Sequence, residues 1–335
     1  MSNPVLVEVT RGDVVESRHR GAVSVQEADG NARCALGDVD HPVFPRSAVK
    51  ALQALPLVET GAADAFGYGA RELALAQASH GGEPAHVEGV AAMLAAIGLS
   101  EADLECGPQL PSHKGSAALL MRDGGTPSQL HNNCSGKHAN FLSVASHLGV
   151  DQRGYVLPRH PVQDAIRDVL ESLTGASHNA GHRGTDGCSI PTYAAPLSAF
   201  ARGFARFATG AGLSPLRAGA AKRILDAAVS APFFVAGSGR FDTEVMEILN
   251  GAALVKGGAE GVHCAALPAL GLGVAVKCDD GDGRASSAIM AALLARLMPE
   301  HEEALRRWTA RPVLTRRGAQ AGEVRAVKEA FAGLS

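Results

Sequence analysis

The chain has 335 residues, of which 46% are hydrophobic, and a formal net charge of −3. A chain of this size and composition can bury a large core, so it is a globular protein of two domains or one large composite domain. It has no block of like charges, which argues against a nucleic-acid or anionic-membrane surface and favours a small solute as partner. The N-terminus lacks a basic segment followed by an apolar run, and no apolar stretch of about 18 residues follows, which predicts a cytoplasmic protein without membrane spans.

Six cysteines are too few for a disulfide scaffold in a chain of this length, so reduced thiols or a metal site are favoured.

The N-terminal residues predict an antiparallel meander of three valine-rich strands separated by turn signals, namely Val5–Thr10, Val14–Val25 and Asn31–Gly37. From Ser47 to about residue 231 the pattern is helical. The predicted helices are Ala70–Ala78, Pro84–Ile97, Lys137–Leu148, Pro161–Leu173, Pro196–Thr209 and Pro215–Ala231. They are followed by a helix at Asp242–Asn250, strands at Ala252–Lys256, Gly261–Ala266 and Leu272–Cys278, a helix at Arg284–Met298 and a mixed tail from Trp308 to Phe331.

Strands at both ends with helices between them predict a single sheet in which the terminal strands pair with one another. The fold class is therefore α/β composite (α+β), and residues 1–335 form one catalytic unit. An antiparallel sheet region from about 1–45 and 251–335 is flanked by helices, and residues 46–250 form an inserted, largely helical lobe. The cleft between sheet and lobe is the expected place for a site.

The segment Ser47-Ala48-Val49-Lys50 predicts a serine and a lysine on one face of a helix. Residues three apart in a helix are neighbours, so the two side chains are expected to meet. A serine hydroxyl becomes a nucleophile when a base takes its proton, and a buried neutral lysine is one such base. The chain has 24 arginines and only 7 lysines, and of the two only lysine can lose its proton in a protein. Since Ser-x-x-Lys also occurs by chance, an ordinary helix start is the alternative.

Small and polar residues gather in three loops where the fold needs only a turn. These loops are Gln77–Glu83, Leu130–Asn140 and Gly184–Pro191. The second loop holds histidines, asparagines, a cysteine and a lysine, a density that is unusual for a loop that only caps a helix.

Two of these loops contain residue types that bind metal ions. Cys134 and Lys137 are three positions apart, and Cys188 lies in an equally polar loop beside Asp186. Thiolates, imidazoles and carboxylates are zinc ligands, so the two cysteines with one or two other groups would make a site. The alternative is that both cysteines are small buried hydrophobes, which is the common fate of a free cysteine.

A lysine followed by two glycines, Lys256-Gly257-Gly258, ends a predicted strand. Two glycines allow a ligand to lie close to the backbone, and a tight hairpin turn is the alternative.

Ser47-x-x-Lys50 before a helix and Lys256-Gly257-Gly258 on a later strand resemble the layout of serine β-lactamases and penicillin-binding proteins. Longer motifs narrow the resemblance to the rhizobial-type L-asparaginase family, that is, the asparaginase II family. These motifs are Pro45–Lys50, Ala78–Glu83, His131–His138, Thr185–Cys188 and Lys256–Gly261.

The resemblance implies a serine β-lactamase-like fold and an amidohydrolase acting on linear amides, which converts L-asparagine to L-aspartate and ammonia through an acyl-enzyme intermediate. It also implies a homodimer and a bound Zn²⁺ ion. The catalytic residues would be two serine–lysine couples, Ser47 with Lys50 and Ser79 with Lys256, in which Ser47 is the nucleophile. The zinc ligands would be Cys134, Lys137 and Cys188, with Asp186 nearby. The substrate-binding residues would be Arg46, His80, Asn133 and His138.

The residue types agree with this chemistry. Two lysines near one serine repel each other's charge, which lowers their pKa values and keeps one neutral as a base. We therefore expect the couples to form one hydrogen-bonded network and activity to rise toward mildly alkaline pH. With a serine nucleophile present, we expect zinc to position substrate rather than to activate water.

Three alternatives stay open. Glutaminase differs from asparaginase by one methylene of substrate length, which the sequence does not resolve. A β-lactamase or peptidase-like acyl hydrolase generally carries a hydroxyl residue after the strand lysine, where this chain has Gly257. A zinc-dependent, non-catalytic sensor would use the metal only to hold its shape.

Overall fold

The computed structural model describes residues 2–333. Its strands are β1 Val5–Arg11, β2 Val14–Glu27, β3 Ala32–Leu36, β4 Pro42–Val43, β5 Arg183–Thr185, β6 Pro191–Tyr193, β7 Ala195–Pro196, β8 Leu254–Gly258, β9 Val262–Leu267, β10 Leu272–Cys278, β11 Ala310–Leu314 and β12 Gln320–Ala326. Its helices are α1 Lys50–Gln53, α2 Leu55–Glu59, α3 Ala62–Ala65, α4 Ala70–Ala76, α5 Pro84–Ala96, α6 Lys114–Arg122, α7 Ser135–Leu148, α8 Pro161–Thr174, α9 Leu197–Thr209, α10 Pro215–Ser230, α11 Pro232–Ala236, α12 Phe241–Leu249, α13 Gly283–Leu297 and α14 Glu302–Thr309.

The main sheet joins the two ends of the chain. Its strand order is β11-β12-β1-β2-β10-β9-β8, and β3 also pairs with β2. Every pairing in it is antiparallel. Strands β1 to β3 come from the N-terminal segment and β8 to β12 from the C-terminal segment. The predicted fold class, an antiparallel sheet built from both termini with a helical insertion, is confirmed.

Helices cover the centre of this sheet. Helix α9 packs against β2, β9 and β10, and α13 packs against β1, β9, β10 and β12. Every residue of β9 is buried, which means that both faces of the sheet are covered there. Gly273 in β10 allows α9 to approach closely, because a Cβ at this position would stand 2.0 Å from the Ala201 carbonyl oxygen.

Proline and glycine set the helix ends where the sequence predicts them. Helices α5, α8 and α10 each begin with proline, whose missing N–H and fixed φ suit the first helical position. Helices α7, α8 and α9 stop at Gly149, Gly175 and Gly210, whose φ values are 66°, 67° and 73°. A left-handed residue at this position carries almost no cost when it is glycine.

The short strands β4 to β7 were not predicted, and two larger regions also differ from the predicted elements. Helix α6 was not expected, and none of its residues is buried. The mixed tail divides into α14 and a ribbon of β11 and β12, and β12 then pairs with β1. In residues 2–333 no helix has the length and apolar character needed to cross a bilayer.

The sheet meets the helical segments at the end of β8. A Cβ at Gly258 would stand 2.7 Å from the Pro45 carbonyl oxygen and 3.0 Å from the Ala48 nitrogen. Glycine at this position therefore lets β8, which carries Lys256, pack directly against the turn that carries Ser47.

Candidate active site

The first candidate residues lie where a 3₁₀ turn leads into α1. Ser47 is in the turn Arg46–Val49, and Lys50 is the first residue of α1. Arg46 has a φ of 51°, a left-handed conformation that is uncommon for a residue with a side chain and is concentrated at functional sites. Ser47 is partly exposed, whereas Lys50 is completely buried. The turn thus presents the serine toward solvent and buries the lysine.

Lys50 and Lys256 meet at Ser79. The Ser79 Oγ lies 2.9 Å from Lys50 Nζ and 3.0 Å from Lys256 Nζ, although these lysines are 29 and 177 positions away in the chain. Both lysines are completely buried. Lys50 also donates to the Ala78 carbonyl at 2.6 Å, and Lys256 donates to the Gly257 carbonyl at 2.9 Å. One hydroxyl therefore joins two buried amines, which allows a proton to pass between them.

Ser47 lies beside this cluster but is not hydrogen-bonded to it. Among residues 2–333 the Ser47 hydroxyl makes no hydrogen bond. The hydrogen bonds of Lys50 Nζ are made instead to the Ala78 carbonyl, Ser79 Oγ and Cys134 Sγ. Three of the four residues in the expected network are thus connected, and Ser47 is the one that stands apart.

Burial lowers the pKa of Lys256 to about 8, because removing an ammonium group from water favours the neutral amine. The Asp242 carboxylate, 3.6 Å from Lys256 Nζ, raises this pKa, and the charge of Lys50 lowers it. Lys256 therefore changes protonation state in mildly alkaline solution, in the range where a general base works best.

A second cluster consists of two cysteines and a lysine. Lys137 Nζ is 2.9 Å from Cys188 Sγ, and Cys134 and Cys188 influence each other's pKa values. Lys50 Nζ lies 3.1 Å from Cys134 Sγ, which joins this cluster to the lysines around Ser79. Asp186 Oδ2 is 3.8 Å from Cys188 Sγ.

The charges in this second cluster favour a thiolate at Cys134. Its pKa lies well below the ordinary value because the Cys188 thiol hydrogen-bonds to the anion and because Lys50 and Lys137 are close by, although burial acts against them. The same hydrogen bond, together with burial, raises the pKa of Cys188. Burial opposes a charge on Lys137, but the two cysteines and Asp186 outweigh it and raise the pKa of this lysine.

This set of donors fits a zinc ion. Thiolate sulfur is a ligand type that zinc prefers, whereas a lysine amine is an unusual zinc ligand. Within residues 2–333 no group of three or more His, Cys, Asp or Glu side chains is placed to hold a metal ion. A site at Cys134 and Cys188 therefore needs the Lys137 amine as third ligand, and the amine must lose a proton to serve.

Arg46 forms an ion pair with Asp186 next to the cysteines. The distance between Arg46 Nε and Asp186 Oδ1 is 2.6 Å, and the two side chains are 27% and 9% exposed. Burial opposes ionisation of Asp186, but the charges of Lys137 and Arg46 outweigh it and hold the pKa of this carboxyl below its ordinary value. The pair therefore offers both a positive and a negative charge close to Ser47.

His138 presents a nitrogen without a protein partner. Its Nδ1 is 2.7 Å from the Tyr155 hydroxyl, which already accepts a hydrogen bond from the Glu105 N–H. The tautomer of His138 decides which of the two groups donates in this hydrogen bond. Burial keeps the pKa of His138 well below its ordinary value. Nε2 is buried and has no partner among the described residues, as expected of a group that awaits a ligand.

His80 and Asn133 make contacts that hold the loops together. His80 Nε2 is 2.9 Å from Ser135 Oγ, and His80 Nδ1 accepts from the Gly82 N–H at 3.1 Å. The backbone N–H of His80 donates to the Asn133 carbonyl, and the side-chain oxygen of Asn133 lies 3.0 Å from Cys134 Sγ. Both ring nitrogens of His80 are thus engaged within the protein, and its contact with substrate stays a prediction.

Tyr155 and Asp242 belong to the site and were not predicted from the sequence. Tyr155 is completely buried against His138, and Asp242 lies beside Lys256. A tyrosine in a loop and an acidic residue at a helix start have many ordinary uses, so neither gives a specific signal.

Residues 7–326 match the family model described as L-asparaginase II. The match covers most of the chain and agrees with the motifs around Ser47, Ser79, Cys134 and Lys256. The chain belongs to the L-asparaginase II family, which makes it a hydrolase that acts on amides. No curated protein matches the chain.

Solved structures that the chain matches include a beta-lactamase from Mycobacterium bovis, at 13% identity and a TM-score of 0.43, with 82% of this chain and 94% of that chain covered. Mglu in its native form is 15% identical, with a TM-score of 0.36, and 87% of this chain and 60% of that chain are covered. Mglu in its tris and glutamate form is 14% identical, with a TM-score of 0.38, and 89% of this chain and 63% of that chain are covered. This chain therefore spans about three fifths of Mglu.

Proposed function

We propose that the protein is an L-asparaginase that hydrolyses L-asparagine to L-aspartate and ammonia by serine–lysine catalysis. The observation that carries the proposal is the Ser79 hydroxyl shared by Lys50 and Lys256 at 2.9 and 3.0 Å, next to the accessible Ser47. A buried amine that can be neutral near pH 8 supplies the base that a serine nucleophile needs.

In this mechanism Ser47 attacks the side-chain amide carbon of asparagine, and its proton passes to Lys50. A proton then reaches the amide nitrogen through the lysines and Ser79, the C–N bond breaks, and ammonia leaves. Water attacks the resulting ester in the same way, so that aspartate is released and the serine hydroxyl is restored. Ser47 is the proposed nucleophile because it is partly exposed, whereas Ser79 is 9% exposed and held by both lysines.

Ser47 can be the nucleophile although its hydroxyl makes no hydrogen bond to the lysines in the described residues. Catalytic hydrogen bonds are often long or poorly aligned without substrate and tighten when substrate binds.

Asparagine carries an α-carboxylate and an α-amino group, and the Arg46–Asp186 pair offers charges opposite to both. We place the carboxylate near Arg46 and the ammonium near Asp186. Asn133 and the Nε2 atom of His138 would complete the pocket, because this nitrogen lacks a partner among the described residues.

Cys134, Cys188 and Lys137 would hold a zinc ion, with Asp186 beside it. When bound, the ion would supply a fixed positive centre that ties the Cys134 loop to the Cys188 loop. These loops also carry Asn133 and Asp186, so their position would determine how substrate is oriented.

The test is release of ammonia and aspartate from L-asparagine by the purified protein, with L-glutamine and a chromogenic β-lactam as competing substrates. We expect asparagine to be the preferred substrate, with kcat/KM rising as pH increases through about 8 because Lys256 loses its proton there. Ser47→Ala should abolish turnover without unfolding the protein, and any acyl group that mass spectrometry detects in the wild type or in Ser79→Ala should lie on Ser47.

An acyl group found on Ser79 in the wild type would mean that Ser79, and not Ser47, is the nucleophile. Preference for glutamine or the β-lactam would contradict the proposed substrate, and the absence of turnover with all three would favour a non-catalytic protein.

A further inference from the structure

Lys256 has a buried carboxylate as its neighbour. Asp242 lies in the first turn of α12 and is 7% exposed. Its Oδ2 is 3.6 Å from Lys256 Nζ and accepts a hydrogen bond from the Gly257 N–H at 2.8 Å. The carboxylate is therefore fixed by the backbone of the same strand that carries the lysine.

His263 on β9 holds the other carboxylate oxygen. Its Nε2 is 3.4 Å from Asp242 Oδ1, and its Nδ1 is 3.0 Å from Ser286 Oγ on α13. The Phe241 ring packs edge-on against the imidazole, with 5.1 Å between centroids. Asp242 is thus held by the Gly257 N–H on β8 and by the His263 ring on β9.

Gly257 leaves the space that this arrangement needs. A Cβ at position 257 would stand 2.8 Å from His263 Nε2 and 3.3 Å from Asp242 Oδ1. A side chain here would push the imidazole and the carboxylate away from Lys256. Asp242 and His263 therefore occupy the space that a hydroxyl side chain at position 257 would need.

The environment of Lys256 contains few other ionisable groups. The charged or titratable side chains that affect it are Asp242, Lys50, Arg240, Cys134 and Cys264. Asp242 is the only carboxylate among these five groups. Removing its charge would leave Lys256 among cations and thiols.

We propose that Asp242, held by the Gly257 N–H and by His263, is a positioning residue that stabilises the protonated form of Lys256 and so sets the pH at which Ser79 can relay protons. A nearby opposite charge favours the ammonium form, so it opposes the effect of burial. Asp242 also fixes the amine near Ser79, and the inference rests on the proposed serine–lysine hydrolysis.

The test compares the pH dependence of asparagine turnover in the wild type and in Asp242→Asn. The amide side chain at position 242 of this variant can still accept a hydrogen bond from the Gly257 N–H, but it carries no charge. Because the neutral amine of Lys256 then persists to lower pH, the acidic limb of kcat/KM should move down by about one pH unit or more. The maximal rate should also fall, since the amine is less well fixed.

Two variants serve as controls. Asp242→Glu keeps the charge and should keep the acidic limb within a few tenths of a pH unit of the wild-type position. Glu247→Gln removes a charge from an exposed position of the same helix, α12, and should leave the profile unchanged. An unchanged limb in Asp242→Asn, or a limb that moves to higher pH, overturns the inference.

A measurement that does not depend on activity separates this inference from the proposed function. The chain has 7 lysines, so the Lys256 signal of protein labelled with ¹³C at the lysine ε-carbons can be assigned by comparison with Lys256→Arg. We expect its titration midpoint to fall in Asp242→Asn by about the amount seen in the rate profile. Equal midpoints in wild type and variant refute the role of Asp242, whereas absence of asparagine turnover in the wild type refutes the proposed function.

Discussion

Lys50 and Lys256 donate to the same hydroxyl from surroundings that differ in charge. Lys50 lies 3.1 Å from the sulfur of Cys134, one of the two cysteines near Lys137. Lys256 lies 3.6 Å from the carboxylate of Asp242, which the sheet and α13 hold in place. One lysine is therefore joined to the candidate metal site and the other to a fixed carboxylate.

The difference indicates how two lysines at one serine can do different work. Two ammonium groups that share a hydroxyl repel each other, so the free energy of the resting site is lower when one of the two lysines is neutral. Asp242 favours the proton on Lys256 and so opposes the effect of burial on this amine, whereas Lys50, the lysine nearer to Ser47 in the chain, has the sulfur of Cys134 as its neighbour. We infer that charge placement around the pair, rather than the pair itself, assigns the roles.

The largest expected effect comes from replacing either lysine by arginine, which keeps a positive charge but cannot act as a base. We expect kcat with asparagine to fall by about 10²–10⁴-fold in Lys50→Arg and in Lys256→Arg, as for the loss of a general acid–base group. Lys222→Arg is the matched control, since this lysine is exposed on α10. Wild-type activity in Lys50→Arg would exclude a general-base role for Lys50.

The next prediction concerns the relay through Ser79. Ser79→Ala and Lys256→Met should each lower kcat by about 10²-fold or more, and the double variant should be little worse than the poorer single variant. This follows because both changes interrupt one proton path. Simple multiplication of the two losses would show that the residues act independently, against the 3.0 Å contact between them.

A smaller effect is expected at the cysteines, because zinc is proposed to position loops. Purified protein should contain about one zinc ion per chain, and Cys134→Ser and Cys188→Ser should lose it. The KM for asparagine should rise more than kcat falls. Cys34→Ser is the control, as Cys34 lies in β3 and is free and partly exposed. An unchanged KM in metal-free protein would contradict the positioning role.

The sequence predicted the elements that depend on local signals. Helices α8 and α9 were located to within one residue, because proline and glycine punctuate their ends and apolar residues mark one face. Helix α6 was missed because none of its residues is buried, so it has no apolar face facing a core. The motif resemblance identified the segments that carry Ser47, Ser79, Cys134 and Lys256.

Side-chain partners were less predictable, since they depend on tertiary contacts. The spacing of Ser47 and Lys50 predicted a mutual contact, but Lys50 makes its hydrogen bonds to groups 28, 29 and 84 positions away. Helix α1 spans only four residues after a 3₁₀ turn, so regular helical spacing does not govern this pair. Asp242 was not predicted, because its importance arises from the position of β8 next to α12.

The smallest expected effect tests the space around Asp242. Gly257→Ala adds one methyl group that would stand 2.8 Å from His263 Nε2, and this ring is held by Phe241 and Ser286, so it cannot move freely. We expect a loss of about 1–3 kcal/mol in the free energy of unfolding, as for overpacking in a core, and a several-fold lower kcat because Asp242 is displaced. Gly219→Ala is the matched control, because nothing lies within 4 Å of a Cβ at that position. Thermal unfolding and the pH profile are the measurements.

If His263 and Asp242 act together on Lys256, combining Gly257→Ala with His263→Ala should cost less than the sum of the single changes, because the imidazole that the methyl group would meet is gone. Additive losses would mean that Gly257 serves only the packing of β8 and not the position of the carboxylate.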